Sequence, residues 1–188
     1  MSKYIKIIAS VTFVSFVCAF ILAWAYNDTK NAIEDAYRLD FLSSLSAVLP
    51  EYDNFPDEDV VNIDGKTVYI AKKHGTIVGY SVVFSSNKGY SGTVEVIVGM
   101  DTYGRVSGAF VLQHKETPGL GDKISHSDFL SSFVGLSEPE TIAVKKDGGV
   151  IEQFSGATMS PRAVAEAVSG ALSFLRENFI TKRENEAE

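Results

Sequence analysis

A chain of 188 residues is long enough for one domain plus an added segment. With 45% apolar and 22% charged residues it is too apolar for disorder, and a net charge of −7 without any basic run argues against nucleic acid as a partner. Its one cysteine, Cys18, excludes an internal disulfide and says nothing of the compartment.

Residues 1–6 carry Lys3 and Lys6 and precede an uncharged run at 7–26, IIASVTFVSFVCAFILAWAY. That length matches the roughly 20 residues needed to cross about 30 Å of hydrocarbon. Asp28, Glu34 and Asp35 follow soon after, with Lys30. The positive-inside rule therefore places the N-terminus in the cytoplasm and the remainder outside. Trp24 and Tyr26 suit the outer interface. The competing reading is a signal peptide cut after Ala23-Trp24-Ala25. The run exceeds the usual apolar region of about 7–15 residues, which favours a retained single-pass anchor. Val17 is too large for a lipidation box ahead of Cys18.

Residues 27–55 read as an amphipathic helix and a connection. Asp28 or Thr29 can cap the helix, Ile33, Ala36, Tyr37, Phe41, Leu42 and Leu45 recur at threes and fours, and Pro50 marks its end. From Thr67 the period changes to two. TVYIAKKHGTIVGYSVVFSS predicts two strands around His74-Gly75, and TVEVIVGMDTYGRVSGAFVLQH two more around Asp101–Gly104. SHSDFLSSFVGL predicts a short helix burying Phe129, Leu130 and Phe133, and TIAVKKDGGVIEQF a pair of short strands around Asp147-Gly148-Gly149. A last helix runs from Pro161 to about Phe179, with Val164, Ala167, Val168, Ala171, Leu172 and Leu175 inward. The fold class is α+β: an antiparallel β-sheet with flanking helices over 56–180, behind one transmembrane helix. The polar tail at 181–188 is expected to be disordered.

Several enzyme chemistries fail on residue type. GYSGT at 89–93 ends in threonine where a nucleophile elbow needs glycine, and there is no P-loop or dinucleotide fingerprint. His114, Glu116, Asp122 and His126 match no zinc spacing, so neither catalytic nor metal-binding residues are assigned. HKETPGLGDK (His114–Lys123) is an irregular loop directly after a strand, fixed by a proline and two glycines. Such a loop lets a planar ligand lie close to the main chain, with Glu116, Thr117 and Lys123 at its polar edge; the alternative is a plain connection. In SGATMSP, Ser160 and Pro161 form a good N-cap and N1 pair. Thr158 lies just upstream, where a helix N-terminus favours a phosphate. No base stands nearby in sequence, so Thr158 is either a capping element or an attachment point.

ETPGLGDK followed by SGAT and a helix resembles the FMN-binding domain found in two electron-transport proteins. One is the G subunit of the Rnf ion-translocating complex, the other the C subunit of the sodium-pumping NADH:quinone reductase. VLPEYDN (48–54), GYSGTVEVIVG (89–99) and VKKDGG (144–149) resemble the Rnf G subunit, as does the short soluble part. The resemblance implies FMN bound covalently through its phosphate to Thr158, installed by a separate FAD-dependent flavin transferase. It further implies a cofactor site of Ser155, Gly156, Ala157 and Thr158 with Glu116, Thr117, Pro118, Gly119, Leu120 and Lys123. The family's motif usually has aspartate three residues before the serine; here Glu152 keeps the carboxylate one methylene further out. The function implied is electron relay without independent turnover, in the cell (inner) membrane with the FMN domain extracytoplasmic. Its partners would be the other membrane and iron–sulfur subunits of a complex passing electrons between ferredoxin and NAD⁺, coupled to Na⁺ or H⁺ transport. The alternatives are a reductase C-like component, a free-standing membrane-anchored flavoprotein, or a non-redox binding or assembly protein.

Overall fold

The computed structural model describes residues 2–182; the end of the tail expected to be disordered lies outside the described residues. The chain forms two compact units, one up to Phe41 and one from Leu42 onward. Helix α1 (Ser2–Val48) is continuous for 47 residues. The expected restart at Asp28 or Thr29 does not occur. Thr29 Oγ1 instead donates to the carbonyl of Ala25 at 2.9 Å, which satisfies the hydroxyl inside the helix. No glycine or proline stands between 2 and 48, so nothing in the backbone forces a break. The helix is long and apolar enough to cross a membrane, and none of its most apolar stretch is buried among the described residues.

The second unit is built on a five-stranded antiparallel meander in the order β1-β2-β3-β4-β5. The strands are β1 (Val60–Ile63), β2 (Lys66–Lys73), β3 (Thr76–Ser86), β4 (Val94–Asp101) and β5 (Val106–Gln113). The two hairpins around His74-Gly75 and Asp101–Gly104 stand where the period-two pattern puts them. β1 was not anticipated. Its four residues are largely exposed, so they carry no alternation, and only the Asp64-Gly65 turn marks the hairpin.

Helix α3 (Met159–Arg176) covers one face of the sheet. Val82, Val96, Val98 and Met100 from the strands, with Val164, Val168 and Leu172 from the helix, are fully buried in one core. Each such side chain contributes about 1.5–3 kcal/mol when removed from water. Beyond Arg176 a wider turn, Glu177–Thr181, carries Phe179 onto Tyr80 with ring centroids 4.2 Å apart. Helix α2 (Ser127–Leu130) and the turn after it bury Phe129, Leu130 and Phe133, as the sequence predicts.

The hairpin expected around Asp147-Gly148-Gly149 is absent among the described residues. Lys145–Asp147 is a single 3₁₀ turn, and Val144 meets Ile151 in one isolated parallel bridge. The chain crosses back over itself too tightly for a ladder: a Cβ on Gly149 would sit 2.1 Å from the Ala143 carbonyl oxygen. Lys145 N and Ile151 N donate to the Ile151 and Ala143 carbonyls instead.

The opposite face of the sheet receives the last turns of α1. Leu45 and Val48 are fully buried there. Gly99 of β4 and Gly108 of β5 are cross-strand partners, and the helix end passes directly over both. Ser107 Oγ donates to the Val48 carbonyl at 2.6 Å, capping one of the carbonyls that the helix end leaves unpaired.

Candidate functional site

A pocket of about 550 Å³ opens where three segments converge. Glu116, Thr117, Leu120 and Gly121 come from the loop after β5, and Gly156, Ala157, Thr158 and Ser160 from the start of α3. The two motifs separated in sequence therefore share one wall. Tyr90 and Met159 complete the lining, and neither is among the site residues expected from the sequence. Ser155, Pro118, Gly119 and Lys123 lie outside the lining.

Ser160 does not cap the helix. α3 begins at Met159, two residues earlier than the capping pattern predicts, with Thr158 in the cap position. The Ser160 hydroxyl points inward and donates to Glu116 Oε2 at 2.6 Å; both residues are buried. The reason is energetic. A hydrogen bond to a buried carboxylate is worth about 1.5–3 kcal/mol, against about 1 kcal/mol for an N-cap. Glu116 Oε1 accepts from the Ser91 backbone N–H at 3.2 Å, so this one carboxylate ties the 89–92 turn to the helix start. Its oxygens are thus held by the protein, where the sequence suggested a ligand's polar edge. A Cβ on Gly121 would lie 2.7 Å from Ser160 Oγ and 2.8 Å from Glu116 Oε2, so this cradle closes only around glycine.

Thr158 is half-buried, faces the pocket, and its side chain makes no capping hydrogen bond among the described residues. Its carbonyl accepts the first helical bond, from Arg162 N at 3.2 Å. Pro161 has no N–H, so Met159 and Ser160 supply the free amides of the first turn. Arg162 also grips Asp147 through two nitrogens at 2.5 and 2.8 Å, holding the 145–149 turn against the helix. That guanidinium keeps the Asp147 carboxyl below the usual carboxylate range. Glu152, ahead of the motif, is exposed and accepts from Lys145.

Residues 89–173 match the FMN-binding domain family, and this span includes every residue lining the pocket. The G subunit of the ion-translocating oxidoreductase complex of Stutzerimonas stutzeri is 41% identical over 84% of this chain and 76% of its own length. Its counterpart in Haemophilus influenzae (strain PittEE) is 36% identical over 88% of this chain and 87% of its own. The chain belongs to the G-subunit family of ion-translocating oxidoreductase complexes. Its fold is shared with the C subunit of the Na⁺-translocating NADH-quinone reductase from Parabacteroides distasonis. There the TM-score is 0.52 at 19% identity, covering 73% of this chain and 81% of that one. The sheet, the helices and the FMN-binding assignment follow the family as the motifs implied.

The Glu116 tie makes a graded prediction for this G-subunit fold. Glu116→Gln keeps an oxygen for Ser91 N–H and presents its amide to Ser160, whose hydroxyl can turn and accept. It should lie within about 1 kcal/mol of the parent. Glu116→Ala strands both donors and should lose about 2–4 kcal/mol, read from the denaturant midpoint. Equal stability of the two variants would show that the carboxylate carries no structural weight.

Proposed function

We propose that this chain is an electron-carrying subunit of a membrane-bound ion-translocating oxidoreductase complex, relaying electrons through FMN held on Thr158 by a phosphoester. The observation that carries the reading is the convergence of ETPGLG and SGAT on one pocket, with an uncommitted threonine hydroxyl at a helix N-terminus. The residues fit the group. The positive end of α3 and the first-turn amides favour a phosphate, and Gly156, at φ 81°, leaves the approach to Thr158 without a side chain. Thr117 and Leu120 offer a wall for the ring, Pro118 and Gly119 shape the loop, and Ser155 and Lys123 stand close to lining residues in sequence.

Bound there, FMN exchanges one or two electrons, while the protein sets its position and potential. Thr158 needs no base of its own, because a separate FAD-using transferase makes the bond. The one nearby carboxylate lining the pocket, Glu116, already accepts two hydrogen bonds. A covalent tether keeps the cofactor in place on the extracytoplasmic side of the membrane. α1 crosses the inner membrane once with Lys3 and Lys6 inside. The relatives' names place them in an ion-translocating oxidoreductase complex, which supports partner subunits here. The motif resemblance extends the reading to membrane and iron–sulfur partners, electron flow between ferredoxin and NAD⁺, and coupling to Na⁺ or H⁺.

The test is the intact mass of the full chain made with and without a co-expressed flavin transferase. The expected result is a mass increase of one FMN less one water, only with the transferase. A mass unchanged by the transferase would sink the covalent reading and favour a non-redox binding or assembly role.

A further inference from the structure

Tyr90 is 75% exposed, yet the turn that carries it is closely packed at its first glycine. A Cβ on Gly89 would lie 2.3 Å from the Gly92 carbonyl oxygen and 2.7 Å from Glu116 Oε1. Ser91 N–H is anchored on that buried carboxylate, and Thr93 Oγ1 donates to Asn87 Oδ1 at 2.7 Å, closing the turn at its base. A tight, doubly anchored turn that spends its order on an exposed aromatic ring points to a contact for that ring. The pocket it borders is the one containing Thr158, and Leu120 (44% exposed) and Met159 (41%) present further apolar surface around the same opening. Three exposed apolar side chains from three separate segments around one cavity mark a binding surface for something flat and partly apolar. Tyr103, exposed to a similar degree, differs: it stands outside this lining, and the Arg105 guanidinium covers it at 5.2 Å.

We propose that Tyr90 packs its ring against the isoalloxazine of the flavin held at Thr158, forming the aromatic wall of the site. The inference rests on the covalent FMN reading and adds to it a residue that positions the ring. Offset stacking joins the π-faces, and the Glu116–Ser91 anchor fixes where the wall stands. Changing Tyr90 therefore changes the ring's surroundings without touching its attachment.

A phenol in contact with a photoexcited flavin donates an electron to it and quenches its emission. The electron then returns, so neither partner is changed. Phenylalanine has the same shape but does not donate, which makes Tyr90→Phe a substitution that spares folding. The experiment compares flavin emission decays of the flavinylated full chain, Tyr90→Phe and Tyr103→Phe in detergent. The expected result is a several-fold longer decay for Tyr90→Phe alone, with all three alike after denaturation. Iodide should also quench the flavin of Tyr90→Leu several-fold more strongly than that of the parent. A Tyr90→Phe decay equal to the parent's overturns the proposal while leaving the covalent reading intact. Absence of flavin from the denatured parent overturns both.

Discussion

Thr158→Val will carry no flavin on a denaturing gel yet fold like the parent. Valine keeps the shape and branching of threonine and removes only the hydroxyl. That hydroxyl makes no capping bond among the described residues, so its loss should cost the fold under about 1 kcal/mol. The discriminating partner is Ser160→Ala. The Ser160 hydroxyl is buried and spent on Glu116 at 2.6 Å, so it is a poor acceptor for any transferase. Ser160→Ala should therefore be less stable by about 1–3 kcal/mol, through the carboxylate it leaves short of a donor, but remain fluorescent. Fluorescence surviving in Thr158→Val, or vanishing only in Ser160→Ala, would move the attachment to another residue.

The largest stability effect should come from the far side of the sheet. A Cβ at Gly99 would sit 2.0 Å from the Val48 carbonyl oxygen and 2.6 Å from Ser107 Oγ, and a Cβ at Gly108 2.7 Å from Val48 Cα. The contacts with Val48 are to its backbone, so that clash cannot be relieved by turning a side chain. Gly99→Val must lift the end of α1 off β4 and β5, exposing Leu45 and Val48 and breaking the Ser107 bond. We expect a loss of about 3 kcal/mol or more, against about 1 kcal/mol for Ser107→Ala. Thermal unfolding of the full chain in detergent measures both. A Gly99→Val midpoint at or above that of Ser107→Ala would mean that the helix end is not seated on these glycines.

The two sides of the sheet also separate what local pattern reveals from what it hides. Period-two alternation marked β2 to β5, because each strand's burial is decided by which side its own residues face. Three-four spacing marked α3 for the same reason. The paired motifs named the family and cofactor class, and both stand at one pocket. The 7–26 run marked a candidate span, since only length and apolarity enter that judgement, and the helix that contains it is long and apolar enough to cross a membrane.

What tertiary structure alone decided lies at long sequence separations. Ser160 reads locally as a cap, and it becomes a donor only because Glu116, 44 positions away, is buried beside it. The turn at 145–149 reads as a hairpin, and the return of Ile151 across Ala143 reduces it to a 3₁₀ turn closed by one isolated bridge. Gly99 and Gly108 look like weak points in strands until Val48 is laid across them, with Ser107 reaching that residue over 59 positions. GYSGT fails as a nucleophile elbow and entered the sequence reading only as part of the family resemblance, whereas the fold brings its Tyr90 to the pocket lining. Local sequence sets each element's own burial and backbone preferences. Which polar group finds a partner, and which glycine is covered, is settled only when distant segments compete for the same space.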